Sequence, residues 1–358
     1  MEEIFLPRLK RLQARLAELT LDGVLISSLE NVRYLSGFTG SSGVLVLGQE
    51  AGHFLTDSRY TTQAEQEVAG LEITVFKDEL EGIKDIIKKM GLVRVGFEPE
   101  GVSYGRHSAL SSSLAKLKLV PLKEELGSLR IIKEKAEIDC IKQAIAIASN
   151  SFEQIRGQVK PGVRERDIAL EMEYLMRKQG SGPISFELIV ASGWRSALPH
   201  GVASEKKIEP GEMVILDFGA SFKGYFSDET HSAVVPPVSD RHRRVYNVVK
   251  EAHDLAVAAV RPGARFIDID QAARGHIERA GYGQFFGHGL GHGLGLAVHE
   301  PPAIAPNREG EAEEGMVFTI EPGIYIPGWA GVRLEDVVLV TADGCTVLTD
   351  TAKELWIV

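Results

Sequence analysis

Apolar positions along the chain fall into helical and strand textures that alternate. Over residues 7–21, Leu9, Leu12, Leu16 and Leu19 recur at helical spacing with Arg and Lys between them. This predicts an amphipathic helix, stopped by Gly23. Short apolar runs at 24–26, 44–47 and 53–55 predict strands, the last two flanking the turn-forming Gly48-Gln49-Glu50. Residues 58–68 read as helix, then 73–76, 82–90 and 93–97 as strand, helix and strand. The alternation predicts an α/β domain with a mixed or parallel sheet, ending near Pro121-Leu122.

A long helical stretch follows over 133–158, with Ile138, Ile141, Ile145 and Ala148 on one stripe and Pro161-Gly162 at its end. A second helix is predicted over 166–179. The texture then turns to strand at 187–190, 213–218 and 232–235, back to helix at 241–260 and 267–280, and to strand again at 316–320, 332–340 and 346–348. This is an α+β pattern. It contains an echo: Lys160-Pro161-Gly162-Val163 and Arg261-Pro262-Gly263-Ala264 each open a loop before a helix, and Asp167 and Asp268 follow at the same offset. The echo predicts two similar halves. The division expected is therefore 1–125 and 126–358.

Composition narrows the class. The chain has 358 residues, 44% of them hydrophobic, enough for a sizeable core, and a net charge of −10, which argues against nucleic acid as partner. Its two cysteines, Cys140 and Cys345, are too few for a disulfide framework. Neither a signal peptide nor a membrane-spanning apolar run is read, so a cytoplasmic location is expected.

The chemistry concentrates in residues 287–302, which hold three histidines and five glycines in sixteen residues. Glycine permits close backbone approach, and histidine is a metal ligand and acid/base group. Four carboxylates sit in separate apolar runs around it. Asp217 lies in Val214-Ile215-Leu216-Asp217-Phe218-Gly219, and Asp228 eleven residues later, across a turn at Lys223-Gly224 that would bring both to one end of a hairpin. Glu321 lies in Thr319-Ile320-Glu321-Pro322-Gly323, where Pro322 argues for an edge strand. Glu335 would share a strand face with Arg333 and Val337. Asp217 and Asp228 singly read as strand-end caps and Glu321 as an edge residue, a reading that fits Glu335 poorly; all four with an imidazole suit two divalent ions such as Mn, Co or Zn. Either His288 or His292 offers the imidazole.

In that order these residues resemble the five-ligand site of the pita-bread metallopeptidases, in the Xaa-Pro peptidase branch that holds aminopeptidase P and prolidase. The resemblance rests on Pro199-His200-Gly201, Leu216-Asp217-Phe218-Gly219, His288-Gly289-Leu290-Gly291-His292, Val298-His299-Glu300 and Glu321-Pro322-Gly323-Ile324-Tyr325. It extends to the first domain through residues 31–41 and Thr56-Asp57-Ser58-Arg59-Tyr60. It implies a creatinase-like α/β amino-terminal domain before an α+β pita-bread catalytic domain. It further implies that Asp217 chelates one metal, that Asp228 and Glu335 bridge two, and that His292 and Glu321 complete the second. His292 is preferred as ligand because the family places it seven residues before the substrate-facing histidine, here His299. His288 and Tyr325 become supporting or pocket residues. His200 and His299 would contact the substrate carbonyl, Arg333 would orient carboxylates or substrate, and Glu321 would relay a proton to the leaving nitrogen. Two divalent ions, manganese first, are the implied cofactors, and a homodimer the implied assembly.

The substrate implied is a peptide with proline at its second position. The sequence of residues 38–41 and 57–60 leans to aminopeptidase P, with prolidase, an Xaa-Pro dipeptidase, as the alternative. A metal-free amidinohydrolase or a non-enzymatic binding module of the same fold would not need the five ligands. The glycine-rich segments lack the Gly-Lys-Ser/Thr ending of a phosphate loop, and Arg241-His242-Arg243-Arg244 reads as a solvated helix start. Trp194 and Trp329 are candidates to line the pocket.

Overall fold

The computed structural model describes residues 2–114, 116–122, 124–349 and 351–358. It divides into two compact units, Met1–Arg130 and Ile131–Val358. Among the described residues no helix is long and apolar enough to cross a membrane.

In the first unit, strands β1 (Gly23–Ile26), β2 (Val44–Gly48), β3 (Gly52–Asp57), β4 (Glu72–Phe76), β5 (Arg94–Phe97) and β6 (Lys118–Pro121) form one sheet in the order β4-β3-β2-β1-β5-β6. The sheet is mixed: β1–β2 and β2–β3 are antiparallel, the outer pairs parallel. The helices are α1 (Glu2–Glu18), α2 (Leu29–Ser36), α3 (Thr61–Glu67), α4 (Glu79–Lys89), α5 (Tyr104–Ser113) and α6 (Glu124–Gly127). Leu9, Leu12 and Leu16 are buried as the pattern requires, but α1 begins before Pro7 and ends at Glu18. Among the described residues α2, α5 and the four-residue α6 escape the pattern. α2 is one short cap-to-cap element, with the Ser28 hydroxyl accepting from Asn31 N and Gly37 at φ 85° closing it. α5 buries only Leu110, so it has no apolar stripe to read.

The second unit repeats one layout twice. The first half has α7 (Lys135–Ile155), α8 (Glu165–Lys178) and strands β7 (Ile189–Ser192), β8 (Met213–Phe218), β9 (Ser221–Phe222), β10 (Tyr225–Phe226) and β11 (Glu229–Val234). The second has α9 (Asp240–Ala259), α10 (Phe266–Arg279) and β12 (Gly291–Gly293), β13 (Glu300–Ile304), β14 (Val317–Ile320), β15 (Gly323–Ile326), β16 (Ala330–Arg333), β17 (Asp336–Val340), β18 (Cys345–Val347) and β19 (Trp356–Ile357). The sheet orders are β19-β11-β8-β7 and β13-β12-β14-β17-β18, with β9–β10 and β15–β16 as small ribbons. Each large sheet thus contains an antiparallel trio, β7-β8-β11 in one half and β12-β14-β17 in the other.

The echoed loops close alike. Gly162 (φ 88°) and Gly263 (φ 78°) both take the left-handed conformation, their N–H groups donating to Ile208 O and Ala312 O at 2.8 Å each. Arg164 pairs with Asp167, and Arg265 with Asp268. Each half packs its helices on its own trio: Phe152, Ile168, Met172 and Leu216 belong to one core, Val249, Ile269, Phe318 and Val338 to the other.

Two expectations change here. The predicted strand over 332–340 is two strands. β16 pairs with β15, while β17 pairs with β14, and the chain changes sheets across Leu334-Glu335, where Glu335 N donates to Thr230 O at 3.2 Å. Arg333 and Val337 therefore belong to different sheets. The strand leading to Glu321 is β14, interior to its sheet with neighbours on both sides. Pro322 lies beyond its end and marks no edge.

Candidate functional site

The carboxylates arrive from equivalent places in the two halves. Asp217 lies near the end of the middle strand β8, and Glu321 just past the end of the middle strand β14. Asp228 and Glu335 each immediately precede the third strand, β11 and β17. The β8–β11 register sets Asp217 opposite Thr230, and the turn at Lys223 (φ 46°) and Gly224 (φ 76°) returns the chain so that both aspartates reach one end of the hairpin. The bridge Thr230↔Glu335 joins the two halves at this point.

β12 adds an imidazole. Its glycines allow a packing no side chain would permit: a Cβ on Gly291 would lie 1.9 Å from Thr319 O, and one on Gly293 2.3 Å from Pro301 O. His292 is thereby pressed into the cluster, with its Nε2 3.7 Å from Asp228 Oδ2 and 3.5 Å from Glu321 Oε1. Ligand atoms of Asp228, His292 and Glu335 all lie within 4.8 Å of one another. The carbonyl of Gly293 lies 3.1 Å from His292 Nδ1. A carbonyl only accepts, so Nδ1 carries the proton and the Nε2 lone pair faces the carboxylates.

His288 is used differently. Its Nδ1 donates to Gly289 O at 2.8 Å, so its Nε2 accepts from Tyr325 OH at 3.0 Å. The phenol in turn accepts from Arg333 Nη1 at 2.8 Å. Arg333 also donates to Pro199 O at 3.1 Å, to Thr230 Oγ1 at 3.1 Å and to Asp217 Oδ2. Thr230 Oγ1 donates to Glu335 Oε2 at 2.6 Å. These residues surround a cavity of about 440 Å³. Phe186, Ile189, Pro199, His200 and Val202 line it from the first half of the unit, and His288, Gly289, Gly291, His292 and His299 from the second. The His299 ring lies 4.1 Å from that of His292, centroid to centroid.

All ten residues predicted for the site meet here: nine line the cavity, and Tyr325 sits directly behind it on Arg333 and His288. Trp194 and Trp329 do not line it. Trp194 is 57% exposed, and Trp329 stacks against His242 under the Arg241 guanidinium. Pattern reading missed Thr230 and Thr319, although each stands two residues from a predicted carboxylate and so shares its strand face. Thr319 Oγ1 accepts from His292 N at 3.1 Å and reaches Glu321 Oε1 at 3.5 Å.

The electrostatics call for cations. Burial, then the charges of Glu335, Asp217 and Glu321, holds Asp228 well above the usual carboxylate range, and burial with Glu321 and Asp217 does the same to Glu335. Burial raises Asp217 against the pull of Arg333, and lifts Glu321 from 4.5 to about 8. Burial lowers His292 and His288 to about 4, so both imidazoles are neutral and able to ligate or accept. Among the described residues lining the cavity, Arg333 is the one permanent cation for five carboxylates, Glu187 included. Asp217 Oδ1 and Asp228 Oδ1 are buried without a hydrogen-bond partner. Orphaned carboxylate oxygens beside a neutral imidazole lone pair form a donor set that fits hard or borderline divalent ions.

Comparison with known proteins agrees with this chemistry. Residues 139–342 match the model of metallopeptidase family M24, and residues 8–132 match that of the creatinase/prolidase N-terminal domain. The chain belongs to metallopeptidase family M24. It is 39% identical over 351 residues to a protein of Pyrococcus furiosus named Xaa-Pro dipeptidase, covering 97% of this chain and 99% of the relative. Among solved structures it resembles an Xaa-Pro dipeptidase from Bacillus anthracis, with TM-score 0.96, 41% identity and 99% of each chain covered. An X-Pro aminopeptidase from Thermotoga maritima gives TM-score 0.91 at 37% identity, covering 98% of this chain and 99% of that one.

Proposed function

We propose that this metallopeptidase is an Xaa-Pro dipeptidase, a prolidase, working with two divalent ions. The observation that carries the reading is the buried group Asp217, Asp228, His292, Glu321 and Glu335, whose unpaired oxygens and neutral imidazole meet in one cavity. The dipeptidase named in Pyrococcus furiosus and the one from Bacillus anthracis support the dipeptide substrate. The lean toward aminopeptidase P drawn from residues 38–41 and 57–60 is the weaker reading; the Thermotoga maritima structure keeps it as the second one.

In this reading Asp217 would hold one ion, Asp228 and Glu335 would be shared between the two, and His292 and Glu321 would complete the second. Bound there, the ions lower the pKa of water and supply hydroxide near neutral pH. The protein's own groups do the rest. Glu321, which lines the cavity beside His292, would act as general base and take up the proton given up by the nucleophile. It delivers that proton to the proline nitrogen, a tertiary amide nitrogen that carries no hydrogen of its own. His200 and His299, one from each half, donate to the developing oxyanion. Arg333 fixes Asp217, Tyr325 and the Pro199 carbonyl, and through Tyr325 the tautomer of His288.

The test is release of the first residue from Gly-Pro and from Gly-Pro-Ala by protein loaded with Mn, Co or Zn. Cleavage of Gly-Pro alone supports the dipeptidase. Cleavage of the tripeptide replaces it with aminopeptidase P, and no metal uptake removes both. Manganese as native metal, a homodimer and a cytoplasmic location complete the proposal, on the strength of the family resemblance.

A further inference from the structure

Each bridging carboxylate of the proposed centre has an acidic neighbour in sequence: Asp228-Glu229 and Glu335-Asp336. In extended chain, adjacent side chains point to opposite faces. Asp228 and Glu335 line the cavity, while Glu229 and Asp336 are buried behind it, 1% and 4% exposed. A second buried charge cluster therefore backs the first, on the same peptides.

One side chain spans it. Lys353 Nζ lies 3.4 Å from Glu229 Oε1 and 3.1 Å from Asp336 Oδ1, with its side chain 8% exposed. His231 Nε2 is 2.7 Å from Glu229 Oε1, and His253 Nε2 is 3.0 Å from Asp336 Oδ2. Ser149 Oγ donates to Glu229 Oε2 at 2.8 Å, and Thr349 Oγ1 donates to Asp336 Oδ1. Among the described residues of this cluster, Lys353 is the one permanent cation, and it touches both acids. It is anchored independently of the cavity. Tyr246 OH donates to its carbonyl at 3.2 Å, and β19 just beyond it pairs in parallel with β11, Ala233↔Trp356 and Val234↔Ile357.

We propose that Lys353 is a positioning residue for the metal centre, tying the back faces of β11 and β17 so that Asp228 and Glu335 stand at bridging distance. The inference rests on the reading of Asp228 and Glu335 as bridging ligands. Its physical ground is that a buried carboxylate without its cation is strongly disfavoured. Glu229 and Asp336 are thus held to one ammonium, and the residue before each moves with it. Among the described residues, the other hydrogen bonds that tie β11 to residues 333–335 are Glu335 N to Thr230 O, Thr230 Oγ1 to Glu335 Oε2, Arg333 Nε to Thr230 Oγ1 and two between Ser232 Oγ and the Arg333 backbone.

The experiment is calorimetric titration of manganese into chelator-stripped full-length protein, with electron paramagnetic resonance of the loaded samples. Wild type is expected to take two ions and show a spin-coupled spectrum. Lys353→Met, folded by circular dichroism, is expected to bind about 10–100-fold more weakly, the usual loss when a group behind a ligand is removed. At equal loading it should show an isolated-ion spectrum. Lys353→Arg should regain most of the affinity, which general loosening of the fold would not explain. Should Lys353→Met fail to fold, the double variant Glu229→Gln/Lys353→Met removes the excess buried charge and is expected to show the same weak binding. Wild-type affinity and coupling in a folded variant lacking Lys353 overturns the inference alone. A wild type that binds fewer than two ions overturns the dinuclear reading, and this inference with it.

Discussion

The two halves of the second unit share loops, helix pairs and strand trios, yet fill equivalent positions with opposite chemistry. Glu165 opens α8 and Phe266 opens α10, 101 residues on. Glu165 is fully buried in a polar knot. Its carboxylate accepts from Ser192 N (2.7 Å), Ser192 Oγ (2.8 Å), Ser204 N (3.1 Å) and Ser204 Oγ (2.6 Å), and pairs with Arg195. Phe266 instead packs with Ile269, Ala273 and their apolar neighbours. The first-half knot clamps residues 192–204, which carry Pro199, His200 and Val202 into the cavity. The second half needs no such clamp, because its cavity wall is a strand, β12, held by backbone packing against Thr319 and Pro301. A repeated frame thus supplies ligands symmetrically, while substrate-facing residues depend on how each half secures its first strand and the loop beside it.

The comparison can be pressed hardest at the carboxylates. Glu321→Gln should lower kcat by about 10²–10⁴-fold, the range for loss of a general acid–base. Turnover near wild type with full metal content, measured by plasma emission, would refute that role.

Glu165→Ala and Phe266→Ala come next. Each should cost about 3–5 kcal/mol in denaturant unfolding, the first by stranding Arg195 and the second by opening a cavity. Only Glu165→Ala should also reduce kcat, by about 10²-fold, through misplacement of the His200 loop. Equal kinetic damage from both would show that the knot does not serve the site.

pH separates the metal cluster from the frame that carries it. In chelated protein Glu321 keeps its proton up to about 8, whereas the unfolded chain loses it near 4.5. Between those values the folded state binds more protons, so stability falls as pH rises. Up to about pH 6.5 the lowered His288 and His292 act with the opposite sign, so the Tm of chelated protein should decline from about pH 6.5 to about pH 8, and the gain on adding manganese should grow over the same window. A flat Tm in chelator would contradict it.

The smallest effects belong to the matched surface pairs. Arg164→Ala and Arg265→Ala remove solvent-exposed partners of Asp167 and Asp268 and should each leave Tm within replicate scatter.

Much of this was legible in the sequence because it was periodic or locally redundant. The helix stripes, the mixed sheet of the first unit and the Asp217–Asp228 hairpin follow from spacing and turn residues. The echo at 162 and 263 exposed the repeat because both loops demand a left-handed glycine. The choice of His292 over His288 was available only through resemblance. What separates them is the Tyr325 hydroxyl, 37 residues away, which occupies His288 Nε2. The break at Leu334 was hidden because both segments it joins are apolar, and only partners distant in sequence, β15 and β14, decide to which sheet each belongs. Glu165 carried no local signal: a charged residue opening a helix reads as solvated until its partners in another loop are known.

The contacts that exclude a side chain at Gly291 and Gly293 bear on how this cavity can be altered by laboratory evolution. Any replacement there would drive a β-carbon into a carbonyl on a neighbouring segment, so random libraries will return those positions unchanged or the protein unfolded. The lining from the first half has no such restriction: Phe186, Ile189 and Val202 meet the cavity with side chains that can be exchanged for others of different size. Altered substrate preference should therefore be sought at those three residues, leaving β12 as an invariant template.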